Sequence, residues 1–138
     1  MLPYFEDSLL RALYLAHWVF PWLILVVGMY IIVKFGRGYM AEAVFADVDR
    51  RLVTIFSGVL DLQALTGLTY FLWTGFATGD FPAYRILHGL MMFVAAVIPH
   101  FSALSKDEKD STRFLNNFYL LLASFLIMLV GISFIPNK

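Results

Sequence analysis

Four long apolar runs separated by short polar segments dominate the chain. A helix needs about 20 consecutive, mostly apolar residues to cross the hydrocarbon core of a bilayer. The runs therefore predict spans over about 8–35, 50–76, 83–104 and 112–135. Asp7-Ser8 offers an N-cap for the first span, and Gly36-Arg37-Gly38 marks its end. The segments 36–49, 77–82 and 105–111 are short enough to join neighbouring antiparallel helices. The predicted fold is all-α: a four-helix transmembrane bundle, up-down-up-down, in a single membrane domain over residues 1–138.

Polar and small residues interrupt the apolar runs at helical spacing. Gln63, Gly67, Tyr70 and Thr74 share one face of the second span, and Arg113, Asn117, Ser124 and Gly131 recur near one face of the fourth. Lipid offers such side chains no hydrogen-bond partner, so both stripes should face the bundle interior. Pro21 lies four residues after His17 and deprives the His17 carbonyl of its helical N–H partner, which predicts a kink at that point.

Composition agrees with the membrane reading: 61% of residues are hydrophobic and 14% charged, with a mean hydropathy of +0.78. The absence of cysteine excludes disulfides, thiolate metal sites, iron–sulfur clusters and thioether-linked haem. Net charge is zero and no basic block suggests nucleic acid. The N-terminus is acidic and its apolar run is too long for a cleaved signal peptide, so the first span is expected to be retained. The first and third connections and the span ends beside them carry seven of the ten lysines and arginines, which predicts both termini on the non-cytoplasmic side.

An ionisable side chain inside an apolar span is costly, and a functional role is the default hypothesis for it. His17 and His88 lie on the first and third spans, which run parallel in this topology. Counted from the same membrane face, they fall within ~6 Å of each other in depth. Two such imidazoles can sandwich a flat cofactor, which makes His17 and His88 candidate metal ligands of one haem b. Arg11 and Arg85 lie toward the same end, where they could pair with propionates, and Gly67 and Gly89 would let a macrocycle approach the backbone. The plainer reading has both histidines hydrogen-bonded in the core and the arginines snorkelling to headgroups. His100 lies ~18 Å deeper than His88 and turned from it, so a second haem is not expected. With Asp61, Asn116 and Asn117 it could instead form a proton-relaying or quinone-binding pocket.

His17 followed by Trp22, the run Leu62-Gln63-Ala64-Leu65-Thr66-Gly67-Leu68-Thr69-Tyr70, His88 heading the third span and Pro136 closing the fourth resemble a family of small bacterial four-helix membrane proteins labelled b-type cytochromes. Pro21 and Leu87 stand where that pattern has arginine and glutamate. A weaker likeness is to the small four-helix protoporphyrinogen oxidase of bacteria, carried by Arg50-Arg51, the two histidines of the third span and Arg113 to Asn116. Gly89-Leu90-Met91 lacks the lysine of that pattern. The copper-resistance membrane family has a similar histidine-bearing layout.

These resemblances imply a bacterial cytoplasmic (inner) membrane protein. The leading expectation is an electron-carrying cytochrome, alone or as a small subunit of a respiratory or photosynthetic complex, with a redox partner protein or a quinone. The alternatives are a haem-containing oxidase of a porphyrinogen and a haem-free structural subunit of a membrane complex. Bis-histidine iron has no open position, which favours electron transfer over stand-alone enzyme chemistry.

Overall fold

The computed structural model describes residues 2–136 and is entirely helical apart from its connections. In chain order the elements are α1 (Leu2–Met40), α2 (Asp47–Thr78), α3 (Ala83–Val97), a 3-10 helix (Ile98–Ser105) and α4 (Asp110–Ser133). Four stretches are long and apolar enough to cross a membrane: Ser8–Met40, Asp47–Thr78, Ala83–Ser105 and Asp110–Ser133. α1 packs on α2 and α4, and α3 packs on the same two helices, so α1 and α3 occupy opposite corners of the bundle.

The core follows the 3.6-residue period. On α1 it takes Ile24, Gly28, Ile31 and Phe35, and on α4 Phe114, Asn117, Leu121, Ser124, Met128 and Gly131. Both predicted polar stripes face inward: Gln63, Asn117, Ser124 and Gly131 are buried, and Gly67, Tyr70, Thr74 and Arg113 half-buried. The outward faces carry large apolar side chains such as Trp18, Trp22, Val26 and Phe93, as a lipid-facing surface requires.

Both ends of α1 differ from the sequence reading. α1 begins at Leu2, so Asp7-Ser8 lies inside the helix rather than capping it; Pro3 suits a first helical turn because its missing N–H would have no intrahelical partner. α1 also continues through Gly36 and Gly38 to Met40. Those glycines serve packing, because a Cβ on Gly38 would lie 2.5 Å from Cε1 of Phe114. The turn comes at Glu42, whose φ of 48° is left-handed, with Ala43 N–H donating to the Gly38 carbonyl at 3.0 Å in the manner of a Schellman cap. Asp49 then joins the two helices: one carboxylate oxygen accepts from Ala46 N–H at 2.9 Å, and the other pairs with Lys34 of α1.

The third span is not one α-helix. At Pro99 it tightens into the 3-10 helix, because proline cannot donate to the Ala95 carbonyl and its ring crowds that group. Ser124 of α4 replaces the lost donor, its hydroxyl reaching the Ala95 carbonyl at 2.6 Å.

Candidate functional site

Pro21 has the same consequence in α1, which runs through it unbroken. The His17 carbonyl, left without its helical partner, accepts from Gln63 Nε2 of α2 at 3.0 Å. The same amide nitrogen donates to His17 Nδ1 at 2.9 Å, so one side chain fixes both the backbone and the ring of His17. Gly67, one turn further along α2, makes room for that ring: a Cβ there would lie 2.5 Å from His17 Cε1.

His88 is held from the other side. Its Nδ1 is 2.9 Å from the Gly131 carbonyl of α4, an acceptor, so the ring proton sits on Nδ1. Gly131 permits this approach by packing directly on α3, where a Cβ would lie 2.5 Å from Met92 Cε. That carbonyl lies in the last turn of α4, where it keeps only a long 3.4 Å bond from Phe134 N–H and has a lone pair to spare for His88.

The two imidazoles meet across the bundle diagonal with ring centroids 6.1 Å apart and planes at 88°. Each is fixed through Nδ1, and among the described residues Nε2 of each has no hydrogen-bond partner. Among the described residues no three histidines, cysteines or carboxylates group closely enough to enclose a metal ion. A metal that brings its own equatorial donors needs only two more. Two imidazoles bound through Nε2 to one metal, with bonds of ~2 Å, have centroids about 6 Å apart. The observed separation fits that requirement.

The buried Gln63 Oε1, which lacks a partner, bears on the same fit. With Gln63 donating to Nδ1, the neutral His17 ring carries its proton on Nε2. Metal ligation at Nε2 requires that proton on Nδ1; a half-turn of the amide would bring Oε1 round to accept it, but only by breaking the bond to the His17 carbonyl, which Oε1 would then face. The ring separation therefore suits two imidazoles on one metal, while the Gln63 bonds as they stand hold His17 in the other tautomer.

Toward the α2–α3 loop the site is bounded by Tyr14 and Tyr70, 5.7 Å apart, and by Arg85, which donates to the Thr74 hydroxyl at 3.3 Å. Arg85 is thus half-buried one turn from His88, whereas Arg11 is exposed on α1. Gly89 lies on the outer surface of α3 with open space around it and takes no part in the site, because it follows His88 by one residue and points about 100° away.

The second predicted cluster is only partly assembled. His100 Nε2 lies 3.1 Å from both carboxylate oxygens of Asp61, and both side chains are about half exposed on the α2 side of the 3-10 helix. His100 and Asn117 line one cavity, while Asn116 lines a different one with Phe101 and Tyr119. Sequence reasoning missed the Gly131 and Ala95 carbonyls as partners, since a backbone acceptor leaves no trace in residue identity. No protein-family model, curated protein or solved structure matches this chain.

Proposed function

We propose that the protein is a haem b-binding membrane cytochrome that carries electrons, whose haem iron His17 and His88 would hold. The observation that supports this best is the pairing of two imidazoles from opposite corners of the bundle, 6.1 Å apart, each held through Nδ1 with Nε2 left over. Haem would supply one-electron chemistry at a potential set by its ligands and surroundings. Gln63 and the Gly131 carbonyl orient the two rings and set their basicity. Arg85, anchored on Thr74, provides a positive charge one turn from His88 for an anionic group. The surrounding apolar helices exclude water.

The proposal extends to a bacterial inner membrane, with both termini on the non-cytoplasmic side and a quinone or a redox protein as partner. A second reading, a haem-free accessory bundle, draws on the fact that both histidines already have partners within the protein.

Absorption spectra of the purified protein decide between the two. Bis-histidine haem b gives sharp reduced α and β bands. His17→Ala or His88→Ala should remove most of the haem, while His100→Ala should leave it bound. Haem lost only with His100→Ala would refute the ligand assignment, and a haem-free protein from haem-replete cells would favour the structural reading.

A further inference from the structure

At the opposite end of the bundle a cavity of about 330 Å³ opens between α2, the 3-10 helix and the start of α4. Arg50, Lys106 and Arg113 line it together with Ser57, Ser102 and His100, and no carboxylate does. The nearby acids lie outside the lining: Asp47 is 2.9 Å from Arg50, Asp110 is 3.7 Å from Arg113 and Asp107 is 4.0 Å from Lys106. Asp61 engages His100 in the same way. Arg113 is largely buried, its guanidinium carbon 4.1 Å from the Phe45 ring centroid, and this stacking holds a charge in the cavity wall.

Asn117, 2% exposed, also lines the cavity. Its Nδ2 donates to the Arg113 carbonyl at 2.8 Å, but its buried Oδ1 has no partner. Reversing the amide would set oxygen against oxygen at that carbonyl, so Oδ1 is the atom left over. That oxygen has no surface open to the cavity, so the three cations alone describe the ligand, which is an anion.

We propose that this cavity binds the phosphate headgroup of an anionic lipid. The phosphate would sit among Arg50, Lys106 and Arg113. The cavity lies at the end of the bundle where the α1–α2 and α3–α4 connections meet the membrane surface, the depth of lipid headgroups. Basic pockets between helices are suited to such headgroups. Ile55 and Leu104, neighbours in sequence of the lining residues Thr54 and Ala103, are 64% and 81% exposed and offer apolar surface to acyl chains. The inference is independent of haem.

The test uses the full chain in an uncharged detergent, with native mass spectrometry and thermal unfolding as readouts. Phosphatidylglycerol, phosphatidic acid and phosphatidylcholine with identical chains are compared with glycerol 3-phosphate. Phosphatidylglycerol and phosphatidic acid should bind and stabilise better than phosphatidylcholine, and Arg50→Gln and Lys106→Gln should each weaken their binding about fivefold. Both charge variants alter exposed side chains, so their lipid-free unfolding temperature should stay unchanged. Glycerol 3-phosphate binding as tightly as the lipid would assign the same pocket to a soluble phosphate ester. Equal binding of phosphatidylcholine, or undiminished binding by the Arg50→Gln/Lys106→Gln double variant, would overturn the proposal.

Discussion

Gln63 carries more of the site than its position in a polar stripe suggests. It supplies a donor to a carbonyl that Pro21 has stripped of its own, and it fixes the His17 ring through the same nitrogen. Gln63→Leu removes both bonds and leaves a buried carbonyl unpaired, a loss of about 1–3 kcal/mol. If His17 ligates haem, the same change should weaken haem binding by roughly 10–100-fold, the usual effect of removing a group that orients a ligand. Gln63→Glu separates the two roles. A carboxylate can accept from Nδ1–H but cannot donate to the His17 carbonyl, so stability should fall while haem, where bound, shifts to a lower reduction potential because the ligand becomes more basic. Redox titration of that variant checks the expectation; an unchanged potential would detach Gln63 from the haem site.

At the scale of elements, the helices are joined where a backbone carbonyl lacks its usual donor. Ser124 serves Ala95 at Pro99, Gln63 serves His17 at Pro21, and His88 serves Gly131 at the end of α4. This account predicts a specific coupling. Ser124→Ala should cost about 1–2 kcal/mol in the native chain. In a Pro99→Ala background, where residue 99 can again donate to Ala95, the same substitution should cost almost nothing. Equal costs in both backgrounds, measured by denaturant unfolding in micelles, would rule the coupling out. The inward faces of α2 and α4 were legible in the sequence because Gln63 to Thr74 and Arg113 to Gly131 repeat at helical spacing. The histidine pair was legible because an imidazole stands out in an apolar run. The end of α1 was not, because Gly36 and Gly38 look the same whether they stop a helix or let Phe114 and Phe118 approach it. The 3-10 turn at Pro99 was obscured in a similar way, since prolines inside membrane helices have unlike outcomes: α1 continues through Pro21, whereas the third span changes form.

For the whole molecule the outstanding question is which way the bundle faces. The two ends differ in chemistry. The end with the α1–α2 and α3–α4 connections holds the Lys34–Asp49 pair and the basic cavity, while the other holds Arg85, the tyrosine pair and the aromatic contacts of Phe81 with Phe71 and Phe76. The bias in lysine and arginine predicts the first end in the cytoplasm. Because the chain has no cysteine, any introduced thiol is unique. Asp80→Cys lies in the α2–α3 loop and Asp107→Cys in the α3–α4 connection, and both native side chains are exposed. A membrane-impermeant maleimide added to intact spheroplasts should label Asp80→Cys and reach Asp107→Cys only after the membrane is permeabilised. The reverse pattern would invert the protein, putting the His17–His88 pair nearer the cytoplasmic face. Labelling of both sites in intact spheroplasts would contradict the membrane-spanning arrangement itself, since α3 and the 3-10 helix separate them by the full thickness of the bundle.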